Sequence, residues 1–336
     1  MTPLRIVVFG GSGFIGTRLV ARLVRAGHEV RIADKQPSQA FPELRVACNV
    51  RNLDETIKAS EGMDVVINLA AEHVDDVSPF ELYYQTNVEG AENVCKAADA
   101  NGIRRMIFTS TVAVYGMPDG ELDETAPLNP FNEYGRTKVL AEEVYHKWAA
   151  VSEDRRLTIV RPTVVFGEGN RCNFYHFLCQ MDSGKFMMVG NGRNRKSIAY
   201  VENVAAFLEF ALTFDTRDET YNYVDPHDMD MNEFVPLVNS FYGRPAKIGR
   251  RLPYWLGYGI GRCFDLLAWL TRRKMTISAI RVKKFCGSTL FSARKAMATG
   301  FKPPVDVREG LAQTIRAEFI DKTARPTCGL LGPKQD

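Results

Sequence analysis

Through the first 160 residues, short apolar runs alternate with longer stretches in which apolar positions recur every three or four residues. That alternation predicts a parallel sheet with crossover helices. The runs Leu4–Phe9, Glu29–Ala33, Leu44–Ala47, Asp64–Asn68, Arg105–Thr109 and Leu157–Val160 read as strands. The periodic stretches Phe14–Ala26, Asn52–Ser60, Pro79–Ala100 and Tyr134–Ala150 read as helices. Tyr115–Asn132, rich in Gly, Pro and Asp, is expected as a surface loop near whatever the sheet binds. Beyond Arg161-Pro162 the regular alternation stops, and short strands, several helices and turn clusters such as Gly190-Asn191-Gly192 take over. The pattern defines an α/β, Rossmann-type doubly wound parallel sheet with a smaller C-terminal substrate-binding lobe. Residues 1–165 are expected to form the sheet domain, 166–325 the lobe, with some later segments returning to the sheet, and 326–336 a tail.

One stretch of the lobe has its own pattern. Wound at 100° per residue, 251–274 places Leu256, Ile260, Cys263, Phe264, Leu266, Leu267 and Leu270 on one broad face. Tyr254, Tyr258, Arg262, Asp265, Trp269 and Arg272 fall on the other. Arg262 and Asp265 argue against a membrane span, which needs ~20 mostly apolar residues. Two readings stay open: an interfacial helix lying on a membrane, or a helix whose apolar face packs into the lobe.

Charge sharpens this picture. The net charge is +3, yet Arg244 to Gly300 holds thirteen Lys or Arg and one acid, a local +12, leaving −9 for the rest. A basic block of this kind suits an anionic partner or surface. At 336 residues and 45% hydrophobic content the chain can bury a full core. Its seven cysteines form no Cys-x-x-Cys pair, their number is odd and no leader-like stretch precedes the first strand, so reduced thiols and a cytoplasmic setting are expected. The five histidines show no metal spacing, and neither a metal nor a nucleic-acid partner is expected.

Candidate chemistry begins where the first strand meets the first helix. Gly10 permits a tight turn, Gly13 lets the backbone approach a pyrophosphate, and Gly16 lets helix and strand pack closely. Free N–H groups opening the helix at Phe14 then face phosphates. Asp34, about 20 residues on, is placed to accept from the adenosine ribose hydroxyls, and its charge repels a 2′-phosphate, which favours NAD over NADP. Tyr134 and Lys138 stand at i and i+4 on one helix face. An ammonium there would favour the phenolate and draw a phenol toward the range of a general base. Thr109-Ser110-Thr111 ends a preceding strand in hydroxyls, at the sheet edge where such folds bind ligands.

These motifs together resemble the extended short-chain dehydrogenase/reductase family and, within it, the nucleotide-sugar epimerases and dehydratases. The likeness runs through Gly10/Gly13/Gly16, Asp34, Asn68-Leu69-Ala70-Ala71, Asn87, Thr109-Ser110-Thr111, Val114-Tyr115-Gly116, Tyr134/Lys138, Arg161-Pro162, Phe166-Gly167, and Lys196-Ser197 ahead of Tyr200-Val201-Glu202-Asn203-Val204. It implies that Tyr134 is the base, that Lys138 holds the nicotinamide ribose and that Thr111 bonds the reacting sugar oxygen. It implies that NAD is held by Gly10, Ser12, Gly13, Phe14, Ile15, Gly16, Asp34, Lys35, Asn49, Val50, Leu69, Ala70, Ala71, Thr109, Tyr134, Lys138, Arg161 and Thr163. Three departures stand out. Phe9 precedes the glycine loop where a small residue is common and is expected to pack under the turn. Asn49 replaces an aspartate that accepts from the adenine amino group, and its oxygen can still accept. Val112-Ala113 replace the acids that drive elimination or decarboxylation, which leaves hydride chemistry that begins and ends with a hydroxyl.

A narrower likeness rests on Ala71–Pro79, Arg161–Glu168, Gly192–Ser197 and Arg281–Cys286. These stretches are similar to bacterial 4-epimerases that interconvert N-acetylglucosamine and N-acetylgalactosamine for surface polysaccharide (O-antigen), on UDP or on undecaprenyl diphosphate. The likeness implies a sugar diphosphate substrate held by His73, Thr111, Tyr134, Asn173, Arg193, Arg195 and Lys196. It also implies a homodimer through helices Pro79–Ala100 and Tyr134–Ala150. With the interfacial reading of 251–274, it places the protein on the cytoplasmic face of the bacterial membrane. A reductase, or an oxidoreductase resembling 3β-hydroxysteroid dehydrogenase, is the competing class.

Overall fold

The computed structural model describes residues 2–73, 77–117, 120–227, 229–271 and 278–322. Strand β1 (Arg5–Phe9) is buried without alternation from Ile6 to Phe9, as a parallel strand covered on both faces must be. The chain continues through α1 (Phe14–Arg25), β2 (Glu29–Asp34), β3 (Arg45–Ala47), α2 (Leu53–Ser60), β4 (Val65–Asn68) and α3 (Leu82–Tyr84). A π-helical turn, Gln85–Glu89, leads into α4 (Gly90–Ala100). Then follow β5 (Arg105–Thr109), β6 (Glu121–Leu122), α5 (Glu133–Ala150) and β7 (Arg156–Pro162). The second half comprises β8 (Val164–Phe166), α6 (Asn173–Asp182), β9 (Met188–Val189), β10 (Ile198–Tyr200), α7 (Val201–Phe210), β11 (Asp218–Tyr223) and α8 (Met231–Phe241). It ends with β12 (Arg251–Leu252), α9 (Tyr254–Thr271), α10 (Ala279–Cys286), β13 (Leu290–Phe291), α11 (Arg294–Ala298) and α12 (Val307–Ile315).

Seven parallel strands form the main sheet in the order β11-β7-β5-β4-β1-β2-β3. Strand order reverses between β1 and β4, and a crevice opens beyond their carboxyl ends, the place where such sheets bind ligands. One face of the sheet is covered by α1 and α7, through Leu19, Val20, Leu23, Phe207 and Leu208. The other is covered by α4 and α5, through Val94, Ala98, Ala141, Tyr145 and Trp148. Strand β11 returns from the second half to pair with β7. A third buried cluster joins Phe14 of α1 to Phe166, Leu178, Met188, Val235 and Leu311 of the second half.

Two features depart from the sequence pattern. The Gly/Pro-rich loop contains β6, which pairs with β13 far along the chain and ties the loop to the lobe. In α9 the packed side is the glycine side: Gly257 and Gly261 are buried, with Tyr258, Phe264 and Ala268 half-buried beside them. A Cβ at Gly261 would stand 2.7 Å from the backbone of Ala279, so α9 and α10 touch main chain to main chain. Asp265, on the polar side, is exposed and accepts from the Ala279 N–H at 3.1 Å. Leu256, Ile260, Leu266, Leu267 and Leu270 are exposed, as are Trp255 at 72% and Trp269 at 75%. Arg272, Arg273 and Lys274 lie outside the described residues, as do Val74, Asp75, Asp76 and the tail. Among the described residues no helix is long and apolar enough to cross a membrane.

Candidate active site

At the switch point the loop after β1 presses against the end of β4. Gly10 has φ +74°, and a Cβ there would meet the Ala70 nitrogen at 2.7 Å, so a side chain is excluded on both counts. Around Gly13, by contrast, a Cβ would meet only the Gly10 carbonyl, at 3.2 Å; the space above it is open. Asp34 ends β2 beside this loop, accepting from the Ser12 N–H at 3.0 Å and the Gln36 N–H at 2.9 Å. At the end of β5 the hydroxyls of Thr109 and Ser110 are buried with no hydrogen-bond partner among the described residues. An open glycine cradle, a carboxylate at the end of β2 and two unpaired buried hydroxyls fit a dinucleotide laid across the crevice.

Helix α5 brings in the remaining chemistry. The Asn132 side chain accepts from the Gly135 N–H at 2.9 Å and starts the helix, so Tyr134 lies in its first turn. A Cβ at Gly135 would stand 2.6 Å from the Ala113 carbonyl, so this turn lies hard against the segment after Thr111. Tyr134 and Thr111 are consequently hydrogen-bonded to each other. Lys138, buried one turn on, donates to the Thr109 carbonyl at 2.7 Å and lies 4.2 Å from the Phe108 ring centroid. Burial decides both ionisations: it pushes Tyr134 up to about 12, against the Thr111 hydrogen bond, and Lys138 down to about 7. The sequence suggested that Lys138 would draw Tyr134 down. In the protein alone, desolvation raises the phenol, and the opposing influence comes from the Thr111 hydrogen bond rather than from Lys138.

A cavity of about 390 Å³ opens over Tyr134, lined also by Phe80, Tyr83, Pro130, Phe131, Asn132, Glu133 and Arg136. Asn87, in the π-helical turn, donates to Thr137 Oγ1 and to the Glu72 carbonyl, both at 3.0 Å, and binds the segment after β4 to α5. His73, in that segment, is hydrogen-bonded to the Cys172 side chain, which holds its imidazole above the ordinary value. Asn173 follows at the exposed start of α6.

Several side chains picked from sequence are occupied elsewhere. Arg161 forms a buried two-point ion pair with Glu142, at 2.9 and 2.5 Å, and donates to the Tyr115 hydroxyl at 2.6 Å. It braces β7 against α5. Thr163 donates to the Ser197 carbonyl. The Asn49 oxygen, expected to accept from adenine, already accepts twice from Arg51. Val50 is buried in the core, as are Phe14 and, partly, Ile15. Lys35 pairs with Glu72 at 2.6 Å, while Leu69 and Ala70 line the crevice floor against Gly10, with Ala71 following. Lys196 donates to the carbonyls of Lys284, at 2.7 Å, and Gly287, capping α10. Arg193 and Arg195 are exposed, with no ion pair among the described residues. Sequence reading missed Tyr83, Phe80 and Phe131. The available signal was Pro130-Phe131 immediately before the Asn132 cap.

Fold and crevice define a dinucleotide-dependent α/β enzyme of the doubly wound class. The chain belongs to the NAD dependent epimerase/dehydratase family, whose model matches residues 6–223. It is 44% identical over 317 residues, 94% of this chain and 95% of the relative, to the N-acetyl-alpha-D-glucosaminyl-diphospho-ditrans,octacis-undecaprenol 4-epimerase of Escherichia coli O157:H7. It is 33% identical, over 96% of each chain, to a 3 beta-hydroxysteroid dehydrogenase/Delta 5-->4-isomerase of Mycobacterium tuberculosis. Among solved structures it shares its fold with the UDP-glucuronic acid 4-epimerase of Bacillus cereus in complex with NAD. That match has a TM-score of 0.73 at 19% identity, covering 95% of this chain and 99% of that one.

Proposed function

We propose that the chain is an NAD-dependent 4-epimerase that interconverts N-acetylglucosamine and N-acetylgalactosamine on undecaprenyl diphosphate, through a 4-keto sugar, in surface-polysaccharide (O-antigen) synthesis. The observation that carries this reading is the 44% identity, spread over 94% of the chain, to an enzyme with that substrate in its name. In this reading the loop Gly10–Gly16 and the start of α1 would hold the pyrophosphate, and Asp34 and Lys138 the two riboses. Bound NAD supplies the acceptor, and then the donor, of the C4 hydride. Tyr134 takes the 4-hydroxyl proton at its phenolic oxygen while Thr111 hydrogen-bonds the same sugar oxygen. After the sugar turns in the cavity, Tyr134 returns the proton to that oxygen and the opposite configuration results. Val112 and Ala113 bring no acid after Thr111, which disfavours elimination and decarboxylation.

Division into a nucleotide domain and a lobe, and a homodimer through the outer faces of α4 and α5, belong to the same reading. So does attachment to the cytoplasmic leaflet through the exposed apolar side of α9. Two exposed tryptophans, exposed leucines and the surrounding +12 block suit a membrane interface carrying anionic lipid.

The test is incubation of purified protein, without added cofactor, with undecaprenyl-diphosphate- and UDP-linked N-acetylglucosamine side by side. The lipid-linked sugar should be epimerised faster, and the protein should sediment with membranes until detergent is added. Faster turnover of the UDP-sugar by detergent-free soluble protein would reverse the ranking. In a parallel incubation with added NAD, net accumulation of NADH would favour the dehydrogenase reading, which the 33% identical relatives support.

A further inference from the structure

The cavity over Tyr134 has a rim that proton transfer does not use. Phe80 and Phe131 line it and are nevertheless 60% and 50% exposed. Phe80 stands edge-on to the buried Tyr83, with ring centroids 5.7 Å apart, so its ring is braced and not free to fold inward. Exposed aromatics continuous with a binding cavity mark a surface that an apolar part of a ligand covers.

A cation lies beside this rim. The Lys284 ammonium sits 4.1 Å from the Phe131 ring centroid and has no carboxylate partner among the described residues. Its place is fixed from behind, because Lys196 donates to the Lys284 carbonyl at 2.7 Å and also to that of Gly287. Burial lowers Lys196 to about 8, consistent with an ammonium enclosed by main chain. Helix α10, which carries Lys284, is braced at its other end on Gly261 of α9, the helix with the exposed apolar side. One mouth thus presents flat hydrocarbon-binding surface and a positive charge together. That pairing matches a molecule in which an anionic group is joined directly to a hydrocarbon chain.

We infer that Phe80 and Phe131 seat the first isoprene units of a prenyl-diphosphate-linked sugar at the mouth of the cavity over Tyr134, with Lys284 facing the diphosphate. This rests on the lipid-linked reading of the substrate above. It adds the residues that distinguish a prenyl from a nucleoside carrier.

The experiment uses the full chain and two substrates: N-acetylglucosamine diphosphate bearing a short, water-soluble prenyl chain, and UDP-N-acetylglucosamine. In the Phe80→Ala/Phe131→Ala double variant the prenyl-to-UDP ratio of kcat/KM should fall about tenfold, equivalent to about 1.4 kcal/mol, mainly through KM for the prenyl substrate. Phe80→Leu/Phe131→Leu should recover most of that loss, because apolar area is the requirement. An unchanged ratio, or equal losses on both substrates, would overturn the proposal. A drop in sedimentation mass with the ratio unchanged would overturn it too, by assigning the rim to a second copy of the chain. Calorimetric titration with farnesyl diphosphate, which carries no sugar, separates this proposal from the reading beneath it. Binding weakened about tenfold in the double alanine variant supports the rim even if wild-type protein fails to epimerise the prenyl-linked sugar, an outcome that sinks the substrate reading alone. No binding of farnesyl diphosphate to wild-type protein overturns the rim.

Discussion

Helices α1 and α9 both carry a broad apolar side, and they direct it oppositely. In α1, Phe14, Leu19, Val20 and Leu23 are buried, the last three against the sheet and α7. In α9 the buried positions are Gly257 and Gly261, while Trp255, Leu266, Trp269 and Leu270 face outward. The first helix is held by area removed from water, as most helices of soluble proteins are. The second is held by close main-chain contact with α10 and leaves its apolar side exposed. An apolar stripe therefore reports where hydrocarbon is wanted. It does not report whether that place is the protein's own core.

The contrast can be broken in four steps of decreasing effect. On the sheet side, Tyr134→Phe removes one hydroxyl from a braced helix start. It should lower turnover by about 10² to 10⁴-fold with unchanged circular dichroism and NAD binding; retention of a tenth of wild-type rate would refute the proton-transfer role. In the α9 region, Gly261→Leu forces a side chain into the Ala279 backbone. A destabilisation of about 1–3 kcal/mol by denaturant unfolding is expected, and no loss would mean that the two helices do not touch there.

A buried ammonium sets the third effect. Lys138 titrates near 7 in the folded chain, below the ordinary lysine value of 10.5. Between about pH 7 and 8.5 the unfolded chain therefore holds a proton that the folded chain has released, and this group makes stability rise with pH. Urea midpoints of NAD-free protein should show wild type gaining on Lys138→Met across that window; a constant difference would contradict the burial. The smallest stability change belongs to the outer side of α9. Trp255→Ser with Leu266→Ser should alter unfolding by no more than about 0.5 kcal/mol per site, yet release the protein from anionic vesicles in a flotation assay. A large loss of stability would show that this side is packed after all.

Sequence legibility followed the physics of each signal. Parallel strands buried on both faces are written as unbroken apolar runs, so β1, β4 and β5 were readable to within a residue. Asp34 and the glycine loop were readable because their spacing is set by one strand-helix-strand unit. The hydrogen bonds that Arg161, Thr163 and Lys196 make in the folded chain were not legible, for a common reason. A residue's chemistry is legible, but the partner that claims it is chosen among neighbours far along the chain: Glu142, Ser197 and the carbonyls of Lys284 and Gly287. The pairing of β6 with β13 was hidden in the same way.

By itself, the sequence determined the doubly wound sheet, the glycine loop with Asp34 and the Tyr134/Lys138 pair, because each follows from periodicity or spacing within a short stretch of chain, while Thr111 was added by the family resemblance. Only the tertiary structure decided which side of α9 packs, where Lys196 spends its charge and that Phe80 and Phe131 share a cavity with Tyr134. Those outcomes depend on which distant backbone comes close enough to touch. A Gly261 that admits Ala279 at main-chain distance turns a helix outward more effectively than its leucines turn it inward.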